Sequence, residues 1–550
     1  MRSLAAVLAA LIIAGCSKTG GPENTGAHTW SRPGVFRFAE AGEPRNLVPE
    51  FGSSSYSGDL SMFIFSYAVR YDQSSNPVPD AVTEVPTVEN GDVSKDGLTL
   101  KYRLRRNIKW HDGAQLDCND LKFTWQVIMN PHNNVNTTDG FKDVRSIDCS
   151  DRFVAVVHMQ RLYAPYLQQL WGVNGNAPIL PRHLLGSLND DKGSMNTAPY
   201  LGKPVGSGPF SFVSWQRGSQ IRLKAYPDFY FGKPKLNEVI YRVMPDENTM
   251  ETQLQTHEID MVARGSAINS QRYQSLANDH NNGLILDALP SFIYSHIDFN
   301  LRHPIVNDLA VRRALAYATN RPEILNKVLH GFGTLADTDQ SPVLSWAYTN
   351  DIVKYPYDPA RGRALLDADG WKTGPDGVRA KNGQRLEFNL STQTESTYGH
   401  AVQTVLQHEW RDVGVAVDVK NAPTNQFFDN NPATGVLQGG HYDAAIFSWV
   451  AAADPDDSPL YTTKNFAPQG QNNLFWSNPK VDAAAAAALG TLDRNKRKAY
   501  YKIVQQQMAL DVPTIIMYFW KDIYLYNNDL KGFTPSPVIS AFWNPWEYSI

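Results

Sequence analysis

Gly97-Leu98-Thr99-Leu100-Lys101-Tyr102-Arg103-Leu104-Arg105, followed by Ile108-Lys109-Trp110-His111-Asp112-Gly113, is the stretch on which the fold turns. Leu98, Leu100, Tyr102 and Leu104 alternate with Thr99, Lys101, Arg103 and Arg105, the two-residue period of a strand with one buried face. Trp110-His111-Asp112-Gly113 then reads as a turn with Asp112-Gly113 at its tip, and His111 as a hydrogen-bonded structural histidine rather than a catalyst. The alternation returns at Ile221, Leu223 and Ala225, and again at Ile293, Ser295, Ile297 and Phe299. Ala444-Ala445-Ile446-Phe447 is a short apolar run suited to a buried central strand, and residues 513–520 are a further strand candidate.

Helix signals fall between these strands. Asp358-Pro359 offers an N-cap with proline at the first helical position, and Gly370 closes that segment. Asn478-Pro479 opens an Ala-rich stretch over 483–488 in the same way. Asp493 caps a helix whose Tyr500, Ile503, Val504 and Met508 share a face before Pro513. Arg312-Arg313 lies on another helix and reads as a salt-bridged or solvated face. The mixed order gives an α/β fold with antiparallel additions and excludes a TIM barrel, which alternates strand and helix regularly. At 550 residues the chain exceeds one core, so two or more lobes are expected. The net charge is −4 with no long run of one sign, which excludes a typical nucleic-acid binder.

At the N-terminus, Arg2 precedes an apolar stretch over residues 4–13 and the small residues Ala14 and Gly15, the plan of a secretory signal. That stretch is too short to cross a bilayer, which takes roughly 20 apolar residues. Ile13-Ala14-Gly15-Cys16 resembles a bacterial lipobox, which implies that residues 1–16 are a lipoprotein signal with Cys16 lipidated as an anchor. Residues 17–34 read as a flexible tether, polar and rich in Gly, Ser, Thr and Pro, with order beginning near Val35. Cys118 and Cys149 remain. They either pair in an oxidising compartment, where the bond is worth roughly 3–4 kcal/mol, or stay as two buried thiols. No CxxC or HxxxH pair points to a metal, and no motif points to a cofactor.

Seven segments, in order, resemble the oligopeptide- and dipeptide-binding family of solute-binding proteins that serve ABC importers. Ala41-Gly42-Glu43-Pro44-Arg45-Asn46-Leu47-Val48-Pro49 resembles the opening "EPxxLDP", with Val48 where that motif has Asp. The stretch from Gly97 to Gly113 resembles "LTYTFxLRxGVKFHDG", and Asp117-Cys118-Asn119-Asp120-Leu121 resembles the helix start "TAEDV". Val205-Gly206-Ser207-Gly208-Pro209-Phe210 is similar to "VGTGPY", and Asp228-Phe229-Tyr230-Phe231-Gly232-Lys233-Pro234 to "NPxYWxGKP". Asp298-Phe299-Asn300 with the helix up to Arg321, and Tyr357-Asp358-Pro359 through Gly370-Trp371, complete the set.

The resemblance implies a two-lobed periplasmic-binding-protein fold of class II, closing over its cargo about hinge strands. Lobe I is expected over 35–290, completed by 521–550 and carrying an extra subdomain near 75–195; lobe II is expected over 291–520. It implies capture of peptides for delivery to the permease subunits in the membrane, by a monomer that faces the periplasm or the cell exterior. Trp449, Asp454 and Tyr67 are the candidate ligand contacts. In resembling peptide binders an Asp three residues after the Trp pairs with the ligand amine; here that position is Ala452. A buried ammonium without a carboxylate is costly, so an oligosaccharide or another polar solute is the alternative cargo. An enzyme is the competing class: the sequence has no G-x-S-x-G, H-E-x-x-H or P-loop, and His257-Glu258 lacks a second His.

Overall fold

The computed structural model describes residues 30–550 apart from 53, 174, 266–269, 280, 281, 430 and 539. The signal reading, Cys16 and most of the tether lie outside the described residues.

The first half supplies β1 (Val35–Glu40), α1 (Ser55–Ile64), β2 (Thr99–Arg103), α2 (Cys118–Met129), β3 (Val144–Asp151) and β4 (Val154–Met159). Next come β5 (Phe210–Gln216), β6 (Gln220–Ala225), β7 (Glu238–Val243), β8 (Met261–Gly265) and the long β9 (Leu284–Phe299). The second half adds α3 (Leu309–Ala318), α4 (Pro359–Ala368), β10 (Glu387–Ser391), α5 (Thr397–Arg411), β11 (Ala416–Val419) and β12 (Ala444–Val450). It closes with α6 (Pro479–Leu489), α7 (Arg494–Asp511) and a second long strand, β13 (Thr514–Asn527).

Caps set the helix starts. The Asp358, Asn478 and Asp493 side chains accept backbone N–H groups of Arg361, Lys480 and Asn495 at 2.9, 2.9 and 3.0 Å. Asp117 and Asp120 form a reciprocal capping box on α2. On α7 the fully buried face is Tyr501, Val504, Gln505 and Met508, so the stripe is rotated from the expected one, and Tyr500 and Ile503 are only half-buried. Arg312 corrects its expected solvated face. It is 5% exposed. Its guanidinium donates to the carbonyls of Val306, Asn307, Asp511 and Val512, satisfying oxygens that the end of α7 leaves open.

One eleven-stranded sheet runs through the molecule in the order β11-β10-β12-β9-β13-β8-β1-β7-β6-β5, with residues 333–335 added beside β13. β1 is parallel to β7 and β8, and β10 is parallel to β11 and β12. β9 and β13 run antiparallel through both sets, from Leu284↔Asn527 at one end to Asp298↔Thr514 at the other. Both reach well beyond the expected 293–300 and 513–520. Their added halves carry Asp287, Pro290, Lys521 and Asp522, which break the apolar alternation.

Separate buried clusters flank this sheet. One joins Phe36, Phe38, Phe63 and Tyr241 to Phe542 and Tyr548 from the C-terminal segment. A second gathers Leu315, Phe388, Trp410 and Ile446, and also takes in Met250 and Ile259. A third lies under the small sheet β2-β4-β3 and holds Leu100, Tyr102, Trp110, Val157 and Trp171. Leu100, Tyr102 and Leu104 are buried as the alternation requires, while Leu98 at the strand entrance is 36% exposed. Cys118 and Cys149 form a disulfide with Cα atoms 5.6 Å apart, tying α2 to β3 within this third unit.

Candidate functional site

The register of the sheet locates the site. β8 lies antiparallel to β13, from Met261↔Tyr526 to Gly265↔Ile523, so its carboxyl end points at the middle of β13. β12 lies antiparallel to β9, from Ala444↔Phe299 to Val450↔Ile293, so its carboxyl end points at the middle of β9. The two parallel sets therefore aim their carboxyl ends, from opposite sides, at residues 290–294 and 519–522. Loops diverge at carboxyl ends of parallel strands and leave room for a ligand there. The ladder between β9 and β13 shifts register between Pro290 and Tyr294, at the same place.

On the side of the second half, β12 is only partly covered. β10 pairs with it at Ala444 and Ala445 and goes no further. The Thr392 hydroxyl then donates to Ile446 O at 2.9 Å. By strand alternation the backbone N–H and C=O of Ser448 point the same way as Ile446 O, and no strand pairs with that edge among the described residues. A cavity opens there, lined by Thr392, Gln393, Tyr398, Phe428, Ser448 and Trp520 among others. Its wall is braced. Trp520 Nε1 donates to Ser448 Oγ at 3.1 Å, and Tyr398 and Ser295 share a hydroxyl hydrogen bond of 2.7 Å. Gln393 Nε2 is buried with no hydrogen-bond partner among the described residues.

Trp449 is half-buried on β12, edge-on to Phe447 at 5.5 Å. Its neighbour Val450 is 64% exposed at the strand end, an apolar side chain left uncovered where the halves meet. Beyond it, the loop 451–457 borders a second, open cavity shared with residues 139–169 of the third unit and lined by Tyr163, Gln168, Ala452, Asp454 and Asp456. Trp449 itself lines neither cavity, although Ser448 borders one and Ala452 the other.

The other two candidates take different places. Asp454 is gripped by Arg497 through both carboxylate oxygens, one of them at 2.7 Å from Nη1. Burial alone lowers the Arg497 guanidinium, but the Asp454 charge and hydrogen bonds raise it above its ordinary value. The Asp454 N–H donates to Gln168 Oε1 at 2.7 Å, and Gln168 Nε2 donates back to Asp454 O at 3.3 Å. The Asp454 carboxylate is thus spoken for, and the residue ties the loop to the third unit. Tyr67 corrects its expected cleft position. It is 1% exposed, its hydroxyl shares a hydrogen with Ser61 Oγ at 2.6 Å, and its N–H donates to Asp80, the partner of Arg70 in a buried ion pair. The segment turns inward because Gly208 N–H bonds Ile64 O at 2.8 Å at the end of α1, an approach so close that a Cβ at Gly206 would meet Ile64 O at 1.9 Å. His111 stays structural: Nε2 donates to Gly208 O at 2.9 Å, Nδ1 accepts from Gly206 N–H, and burial lowers the imidazole to about 4.

On the side of the first half, the carboxyl ends meet a largely buried charge cluster. Arg264 holds Asp59 through two bonds of 2.7 and 3.1 Å and lies 3.7 Å from Asp522. Glu40, at the end of β1, is fully buried. Its carboxyl is raised well above the usual range by burial, then by the Asp59 charge, against a lowering by Arg264. None of Gln168, Arg264, Asp456 or Arg497 was singled out by sequence, because each acts on a partner brought close only by the fold or lies in a loop with no periodicity. Among the described residues no group of three or more His, Cys, Asp or Glu could hold a metal, and no helix is long and apolar enough to cross a membrane.

Comparison with known proteins places this architecture. The family model for bacterial extracellular solute-binding proteins, family 5, matches residues 76–471. The oligopeptide-binding protein AppA of Bacillus subtilis (strain 168) is 24% identical over 547 residues, 98% of this chain and 96% of its own. Its structure in complex with a nonapeptide covers 94% of this chain and 99% of that one with a TM-score of 0.75. The glutathione-binding protein GsiB of Salmonella choleraesuis (strain SC-B67) is 28% identical over 455 residues, 81% of this chain and 82% of its own. NikZ from Campylobacter jejuni, solved in complex with Ni(L-His), is 26% identical, covering 94% of this chain and 100% of that one with a TM-score of 0.78.

Proposed function

The chain belongs to the bacterial extracellular solute-binding proteins of family 5, and on that premise we propose that it captures peptides between its two lobes and hands them to the permease of an ABC importer. One observation carries the choice of peptide. Beyond Ala445, β12 presents an unpaired edge to a cavity at the point where the carboxyl ends of both parallel sets converge. A peptide satisfies such an edge as an added strand, through backbone groups that every peptide has, while its side chains occupy the adjoining cavities. The buried Gln393 Nε2 offers a donor to a ligand carbonyl. Trp449 and Val450 supply apolar contact beside the edge. The names of AppA and GsiB, an oligopeptide and a glutathione binder, support the same cargo class.

The division into lobe I over 35–290 with 521–550, lobe II over 291–520 and a subdomain near 75–195 belongs to this proposal. The distribution of the buried clusters supports it. β9 and β13 are the hinge strands, and closure rotates the lobes about the irregular pairing near Pro290. Asp454 and Gln168 then act as a contact between subdomain and lobe II that the closed form makes and opening breaks. Lipidation at Cys16 would hold the monomer at the membrane beside its permease, the tether giving it reach.

Mass spectrometry of what copurifies under gentle isolation tests the cargo directly, followed by thermal-shift screening against peptides, oligosaccharides and Ni(L-His). Peptides are expected in the first and a raised melting temperature in the second, since a ligand stabilises by mass action. A shift with oligosaccharides or Ni(L-His) and none with peptides refutes the peptide reading.

A further inference from the structure

We infer that the two lobes carry an apolar clasp of their own, through which the closed form is populated before cargo arrives. The inference rests on the proposed division into lobes and holds whatever the cargo is. Tyr71 and Val538 fall in lobe I, and Leu344, Ala488 and Tyr501 in lobe II. They pack into one buried cluster with Phe292 of β9, beside the irregular pairing near Pro290. Tyr71 is 8% exposed and Leu344 3%. These side chains are absent from the three larger clusters that fill the lobes and the third unit.

Each side of the clasp is fixed to its own lobe. Tyr71 ends the short strand Val69–Tyr71, and the adjacent Arg70 donates to the carbonyls of Met62, Phe65 and Trp543 at 3.0, 2.8 and 3.1 Å. Opposite, Tyr501 lies on α7, and its hydroxyl accepts from Arg497 Nη2 at 2.8 Å. Gln505, one turn further along α7, donates to Ala347 O at 2.9 Å and ties the segment after Leu344 to the same helix. Rotation about β9 and β13 therefore pulls apart two preformed apolar surfaces. Opening uncovers them to water, at a cost set by the apolar area exposed, and the Gln168–Asp454 hydrogen bonds break with them. Closure recovers both without a ligand. Cargo then adds its own contacts to a bias already present, and less of its binding energy goes into bringing the lobes together.

Single-molecule energy transfer in the full chain tests the clasp, with dyes on Ser219→Cys and Asn425→Cys. Both positions are exposed, one beside the carboxyl end of β7 and the other beyond the carboxyl end of β11. Cargo is first removed by unfolding in guanidinium chloride and refolding. The cargo-free protein, with the clasp intact, is expected to show a population at the dye separation of the closed structure. Tyr71→Ser and Leu344→Ser, which cut the clasp from opposite sides, should each lower the closed-to-open ratio about tenfold or more. Circular dichroism shows that each variant is folded. A cargo-free protein found only in the open form, with the clasp intact, overturns the inference. So does a closed-to-open ratio that either folded variant leaves unchanged. No cargo is added at any point, so failure of the clasp leaves the peptide reading standing, and failure of that reading leaves the clasp.

Discussion

The two halves of the converging edge handle polar groups in opposite ways. On the side of lobe I, Glu40, Asp59, Arg264 and Asp522 are packed together at the ends of β1 and β8, and Arg264 serves the acids around it. On the side of lobe II the same topological position offers a strand edge unpaired among the described residues, a half-buried Trp449 and an exposed Val450. A largely buried, mutually paired cluster resists rearrangement and suits a fixed base for the proposed hinge strands. Unfilled hydrogen-bonding capacity suits a surface whose partner arrives from outside. On the proposed division into lobes, one side frames the site and the other grips the cargo.

The largest effect expected from breaking this contrast is at Arg264. Arg264→Leu strands Asp59, 1% exposed, and Asp522 without their cation. It should cost about 3–5 kcal/mol in denaturant unfolding. Within the same cluster, Glu40 gives a pH signature. A buried carboxyl raised above its ordinary value of 4.5 binds its proton more tightly folded than unfolded, so stability falls as pH rises from 4.5 through the raised value. Glu40→Gln should flatten that decline, and melting temperatures measured across pH will show whether it does.

The lobe II side should respond in binding more than in stability. Trp449→Ala is expected to weaken peptide affinity about tenfold while costing no more than about 1–2 kcal/mol of unfolding free energy, since the ring is only half-buried. A large stability loss with unchanged affinity would make Trp449 a core residue and blur the contrast. Gln168→Ala removes both hydrogen bonds to the Asp454 backbone and should cost about 0.5–1 kcal/mol of the closed form, read as a two- to fivefold rise in peptide Kd.

Much of the fold was legible because it is written locally. The alternation at Leu100 and Tyr102 and the caps at Asp358, Asn478 and Asp493 are short-range signals that tertiary structure left intact. The crossing strands were only half legible. In the middle of β9 and β13, Asp287, Pro290, Lys521 and Asp522 interrupt the apolar period that marks a strand. The site was less legible still. Tyr67 stands in a segment typical of clefts yet turns into the core beside the Arg70–Asp80 pair, and nothing local says so. Asp454 stood out as a candidate contact in the stretch after Trp449, but its partners Gln168 and Arg497 lie 286 and 43 residues away in sequence.

Amide hydrogen exchange along β12, with and without a bound peptide, tests most directly whether cargo is held as an added strand on the open edge. Peptide binding should slow exchange at Ser448 and Val450, whose N–H groups face that edge, and leave the already paired Phe447 and Trp449 little changed. Tight binding of a peptide that leaves the Ser448 and Val450 amides exchanging as fast as before would contradict strand addition at β12.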